Sequence, residues 1–142
     1  MSDPLYKKEL LRLAADASGA GRLTNPDATG EAFNPTCGDK VTVDLSLKDG
    51  RIAAMAHDTK ACVLAQASAS ILGQSLTGAS QDDVEALANA IAQMLIAKGD
   101  PPAPPFETYA AFEGATEHRN RHRCVLLPVE AVLAAFEARE NA

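Results

Sequence analysis

A chain of 142 residues has the length of one domain, since single domains commonly run to about 100–200 residues. Such a chain can bury roughly two-thirds of its unfolded surface without a disulfide staple. A net charge of −6 argues against a general binder of nucleic acid or anionic membrane, and no apolar run approaches the roughly 20 residues of a spanning helix.

The opening Met1-Ser2-Asp3-Pro4 lacks a basic stretch followed by an apolar one, so a cytoplasmic chain is expected. Aromatic residues make up 4% against 28 alanines, which predicts a core of closely packed small side chains. The three cysteines, Cys37, Cys62 and Cys124, are odd in number and widely spaced, which speaks against a disulfide framework, a zinc finger or a CxxC redox pair. If the three thiols act together, the fold must gather them.

In chain order, Pro4 to about Ala17 reads as a helix. Asp3 can cap it and Tyr6, Leu10, Leu13 and Ala17 recur at helical spacing. Ser18 to Thr36 reads as a long linker broken by Asn25-Pro26, Gly30 and Asn34-Pro35. Val41, Val43, Leu45 and Leu47 then alternate with polar residues as a half-buried strand. Asp49-Gly50 is a favoured two-residue hairpin turn, and Arg51 to about Asp58 returns. A regular ladder sets Ile52, Ala54 and Ala56 beside Leu47, Leu45 and Val43; a bulge near Ala53 turns Met55 and His57 inward instead. The pattern allows both.

Ala61 to Gly73 reads as a helix with Cys62 at its start and a small-residue face. Ser80 with Asp83 resembles a capping box, and Val84, Leu87, Ala88, Ile91 and Leu95 mark an amphipathic helix ending at Lys98-Gly99. A proline-rich spacer over 101–105 leads to Phe106, Tyr109 and Phe112 in a helical turn or two. The basic stretch His118 to Arg123 runs into Cys124 and a last helix. Pro128 suits only the start of a helix, which sets Cys124 at or near that N-terminus.

Cys37-Gly38-Asp39 lies where the linker turns into the first strand, and in an extended segment residues i and i+2 point the same way. Helix N-terminal N–H groups stabilise thiolates, a setting expected for Cys62 and Cys124. Three thiolates and one carboxylate supply four ligands, enough for tetrahedral zinc or for two irons bridged by sulfide. The aspartate is the hardest donor and the weakest for a soft centre. The plainer alternative makes the cysteines packing residues, the arginine stretch a solvated loop, and His57 a packed strand residue.

The stretch Asn34-Pro35-Thr36-Cys37-Gly38-Asp39, the hairpin over Lys40–Asp58, the small-residue helix after Cys62 and a late cysteine before the final helix together resemble the iron–sulfur cluster assembly scaffolds. These are the family of IscU, SufU and the N-terminal domain of NifU. The resemblance covers about Leu5 to Glu137. It implies an α+β fold over residues 1–142 as a single domain, with a small antiparallel sheet covered by helices. It implies a carrier, not a turnover enzyme, that takes sulfur from a cysteine desulfurase. The carrier holds a [2Fe–2S] cluster transiently, with zinc as the other occupant, and passes the cluster to acceptor proteins. Cys37, Cys62 and Cys124 would be ligands and persulfide acceptors, and Asp39 the labile ligand. A monomer or weak dimer is expected.

Arg123 stands where IscU-type members have histidine, and no LPPVK-type chaperone segment is found. The long interval from Cys62 to Cys124 and the basic residue before Cys124 are similar to the SufU-type branch, whose members bind zinc and relay sulfur. His122 and Arg123 are candidate auxiliary groups at the site. A cluster scaffold, a zinc-bearing sulfur relay and a purely structural zinc domain are therefore the three readings.

Overall fold

The computed structural model describes residues 8–36, 38–116 and 118–140. The elements run α1 (Lys8–Asp16), β1 (Ala28–Asn34), β2 (Asp39–Lys48), β3 (Arg51–Lys60), α2 (Val63–Ser75), α3 (Gln81–Ala97), a 3-10 helix (Glu107–Ala115) and α4 (Arg119–Glu140). The expected helix start at Asp3, Pro4 and Tyr6 lies outside the described residues. The fold is α+β, a three-stranded antiparallel sheet in the order β1-β2-β3 with helices packed over it.

The β2–β3 hairpin forms as its alternation predicts, and Asp49 and Gly50 both take positive φ, 54° and 77°, as a type I′ turn requires. Of the two registers left open, the bulged one forms. Leu47 faces Ile52 but Ser46 faces Ala54, which passes over Ala53 and sets Leu45 opposite Met55 and Val43 opposite His57. The far edge of β3 is covered: Gly78 and Ala79 bond to Ile52, and Gly19 and Gly21 bond to His57. These two points shorten the stretch of edge open to a foreign strand.

The long linker is a correction, because residues 28–34 form β1 and pair with β2 from Ala28–Leu45 to Asn34–Asp39. Its buried positions are Ala28, Gly30 and Asn34, with Ala32 partly buried, so the strand lacks the large apolar alternation that would announce it. The cause is α4, which packs so closely that a Cβ on Gly30 would lie 2.1 Å from the Ala135 nitrogen and 2.4 Å from the Ala131 oxygen.

On the opposite face, the buried Asp44 carboxylate is ringed by donors. Arg22 binds it through Nε at 2.6 Å and Nη2 at 3.0 Å, Thr29 through its hydroxyl at 2.7 Å, and Leu23 through its N–H at 3.1 Å. These bonds, the Arg22 guanidinium first, hold the Asp44 carboxyl below the usual carboxylate range.

α2 is buried on nearly every side, from Leu64 and Ala65 through Ala67 to Leu72, which is why it is written in alanine and serine. It spans Val63–Ser75, two residues later at each end than the sequence suggests. The capping box at Ser80 and Asp83 forms with both reciprocal bonds, and Lys98 ends α3 in the left-handed conformation. Tyr109 and Phe112 are fully buried, with ring centroids 5.5 Å apart.

α4 holds two further corrections. The basic stretch is itself helical from Arg119, so the helix begins five residues before Cys124, which sits near the N-terminus in the second turn. Pro128 lies well inside the helix, where it has no N–H to give the Cys124 carbonyl. The neighbouring Val125 carbonyl accepts the Ser68 hydroxyl at 2.7 Å, and the Tyr109 hydroxyl donates to Ser68 Oγ at 2.8 Å. These bonds tie α2, the 3-10 helix and α4 together within the turn that precedes Pro128. Burial pushes the Tyr109 phenol far above its ordinary value.

His57 is 3% exposed, and its Nε2 bonds to the Ser18 carbonyl at 2.8 Å while Nδ1 meets the Thr59 hydroxyl at 2.9 Å. Burial lowers its pKa from the ordinary value, against the opposing bond to Ser18. An unfolded chain protonates this residue near pH 6.5, so its contribution to stability is complete above that value and declines as pH falls through it toward the folded pKa. Thermal unfolding is expected to drop between pH 7.5 and 5.5, with a shallower slope in His57→Gln. Equal slopes would remove His57 as the cause.

Candidate functional site

The β1–β2 connection is a tight tip, closed by Gly38 N–H on the Asn34 carbonyl at 2.8 Å and by Thr36 N–H on Asn34 Oδ1 at 3.1 Å. Asn34 is buried beneath it. The Asn34-Pro35 dipeptide, a turn signal in the sequence, forms this Asx turn, with Asn34 organising the tip. Gly38 has φ +79°, a left-handed kink that only glycine adopts readily. The path into Asp39 is therefore bent at Gly38. Cys37 itself lies outside the described residues.

Asp39 opens β2 and is 8% exposed. Cys62 is the N-cap of α2 and half-buried. Cys124 projects from the second turn of α4 and is 1% exposed. A carboxylate oxygen and the two sulfurs all lie within 4.8 Å of one another. Residues spread over 85 positions of sequence thus meet where the start of the sheet, the cap of one helix and the flank of another converge. Thiolate and carboxylate are donors that zinc and iron accept.

One tetrahedral ion with zinc–sulfur bonds of about 2.3 Å needs ligands about 3.8 Å apart, so the observed spacing is within about an ångström of that geometry. A two-iron cluster shares its outer ligands between two metals and accepts a wider spread.

The site is held from behind. Cys62 N–H donates to Asp39 Oδ2 at 3.2 Å, so the carboxylate caps α2 in place of the side-chain cap that Cys62 does not make. The Gln66 amide donates to the Ala61 carbonyl at 2.9 Å, which fixes the turn leading into Cys62. The two auxiliary candidates have other engagements. His122 Nε2 faces the carbonyls of Ala115 and Thr116, each at 3.0 Å, so it carries a proton there. The Arg123 guanidinium pairs with Glu130 at 3.3 Å. Among the described residues, neither belongs to the cluster of converging ligand atoms.

Comparison with known proteins gives this geometry a context. Residues 5–117 match the NifU-like N-terminal domain family. The IscU iron–sulfur cluster assembly scaffold of Streptococcus pyogenes is 25% identical over 122 residues, 86% of this chain and 76% of its own. The Thermotoga maritima IscU scaffold is 28% identical over 83 residues, 58% of each chain. The crystal structure of a NifU-like N-terminal protein from Brucella abortus superposes with a TM-score of 0.92 at 34% identity, covering 98% of this chain and 96% of that one.

A Fervidobacterium islandicum structure, named for a scaffold role in the SUF system, shares the fold with a TM-score of 0.84 at 18% identity, covering 95% and 98%. Among the described residues, no helix is long and apolar enough to cross a membrane. With a family match over more than half its length and a fold to agree with it, the chain belongs to the NifU-like N-terminal domain family.

Proposed function

We propose that this protein is an iron–sulfur cluster assembly scaffold that holds its cargo transiently on Cys37, Asp39, Cys62 and Cys124. The observation that carries the reading is the convergence of Asp39, Cys62 and Cys124 within 4.8 Å in a chain whose relatives are named as scaffolds. Sulfur arrives from a cysteine desulfurase. A cysteine thiolate attacks the outer sulfur of the enzyme's persulfide, the enzyme's thiolate leaves, and the sulfur is held as a persulfide. A dithiol reductant then supplies the two electrons that release it as sulfide to ferrous iron. The hard carboxylate among soft sulfurs is the bond that breaks first, which lets the cluster pass to an acceptor protein.

A second reading is a zinc-bearing sulfur relay that stimulates the desulfurase without holding a cluster. It is favoured by Arg123 before Cys124 and by a ligand spacing close to that of a single ion.

Anaerobic reconstitution with a desulfurase, cysteine, dithiol and ferrous iron separates the two. Near-stoichiometric iron and acid-labile sulfide, lost in Cys124→Ser and longer-lived in Asp39→Ala, is the expected result. Retained zinc, no iron–sulfur chromophore and a persulfide on a cysteine would replace the scaffold reading with the relay. If neither iron nor sulfide nor persulfide is gained, both are rejected.

A further inference from the structure

The chain writes no CxxC pair, yet the fold brings together what the spacing keeps apart. Cys62 and Cys124 are both thiols, and their sulfurs lie within 4.8 Å of each other. A disulfide bond is about 2.05 Å long, which leaves at most about 2.8 Å to be closed by side-chain rotation.

The two residues are held differently. Cys62 is the N-cap of α2, half-buried, with an extended backbone at φ −66° and ψ 170°, and its side chain makes no capping bond. Its N–H is taken by Asp39 Oδ2 at 3.2 Å, so the backbone that carries the thiol is anchored while the side chain is not tied to the helix end. Cys124 is 1% exposed in the second turn of α4, in one buried cluster with Val125 and Leu127. An oxidant from solvent therefore meets Cys62 first, and Cys124 stands behind it, within reach of the Cys62 sulfur.

We infer that Cys62 and Cys124 form a site of oxidative modification, a disulfide pair in which Cys62 takes the oxidant and Cys124 resolves it. With a small disulfide oxidant such as glutathione disulfide, the Cys62 thiolate attacks one sulfur and a glutathione thiolate leaves. The Cys124 thiolate then attacks the Cys62 sulfur of the mixed disulfide and expels the second glutathione. Two protein thiols give up two electrons and two protons, and the oxidant becomes two thiols. The bridge ties the cap of α2 to the flank of α4 and withdraws two donors from the cluster. One consequence rests on the proposed function: cargo on these cysteines blocks the bridge, and the bridge blocks loading.

The test uses the full chain, stripped of metal with a chelator, freed of reductant and exposed to glutathione disulfide without iron or desulfurase. Trypsin places the three cysteines in separate peptides, 23–40, 61–98 and 124–139, so mass spectrometry reads the partner of each. A link between the second and third peptides is the expected main product. Cys124→Ser is expected to stop with glutathione on Cys62. Cys62→Ser is expected to take glutathione onto Cys124 at least about tenfold more slowly, because access limits the exchange. Circular dichroism checks that both variants are folded. The inference is overturned by a main product that joins the Cys37 peptide, by a folded protein that forms no link, or by Cys124 in Cys62→Ser reacting as fast as Cys62 in Cys124→Ser.

Zinc competition against a chromophoric chelator, without dithiol, reads the consequence for loading. Bridged protein is expected to bind at least about a hundredfold more weakly than reduced protein, and dithiothreitol followed by desalting is expected to restore it. Equal affinity of the two forms overturns the block on loading. Reduced protein that binds no zinc rejects the metal site and leaves the disulfide pair standing.

Discussion

Replacing Gly30 with alanine is expected to remove most of the folded, soluble protein. The new Cβ would lie 2.1 Å from the Ala135 nitrogen, 2.4 Å from the Ala131 oxygen and 2.7 Å from the Ala134 carbonyl carbon. All three are backbone atoms of α4, so no side chain can rotate out of the way. The helix must lift from the sheet by more than an ångström, which opens voids along the apolar seam of Val41, Val43, Val129 and Val132, all buried in the same core.

Overpacking that side chains can absorb costs about 1–3 kcal/mol. A backbone clash belongs with the rarer losses of about 4 kcal/mol or more, which lower the melting temperature by more than about 10 °C in a chain of this size. Gly50→Ala is the control. Its Cβ would meet nothing within 4 Å, and only its φ of +77° opposes it, a cost of about 1–2 kcal/mol. Equal melting temperatures for Gly30→Ala and wild type would show that α4 does not rest on β1 in this way.

The second large effect concerns the ligand cluster. Cys124→Ala and Cys62→Ala are each expected to weaken zinc binding by at least about a hundredfold, since even the loss of a group that only supports a ligand costs about 10–100-fold. The readout is competition against a chromophoric chelator. Leu10, Leu45, Ile71, Leu95 and Phe112 belong to one continuous buried cluster, so the metal-free variants should keep their helical circular dichroism. Cys37→Ala is expected to match them. A Cys124→Ala protein that binds zinc as tightly as wild type would exclude Cys124 as a ligand.

How much of this was legible depended on whether a segment's pattern answered to its own neighbours or to distant ones. β2, the Asp49-Gly50 turn and the capping box at Ser80 are local, and their residues state what they form. β1 was unreadable because its inward side chains had been made small for α4, a hundred residues away in sequence. Without Val or Ile on that face, Asn25-Pro26 and Gly30 look like linker.

The start of α4 was misplaced for two reasons of the same kind. Arginines in a first turn run against the helix dipole, and Pro128 mimics a helix start. The meeting of Asp39 with Cys62 and Cys124 was open to chemical argument, since the donors are compatible. The Cys62 N–H bond to Asp39, and the carbonyls that take up His122, are matters of tertiary placement that spacing does not encode.

That hydrogen bond bears on how the site behaves between loads. A buried carboxylate stripped of its cation is ordinarily a destabilising remnant, and proteins answer by swelling, flooding or rearranging. Asp39 keeps a neighbour in the backbone of α2, the Cys62 N–H, through one carboxylate oxygen. Under the proposed function, the carboxylate that takes up and releases cargo is one that the backbone of α2 also anchors.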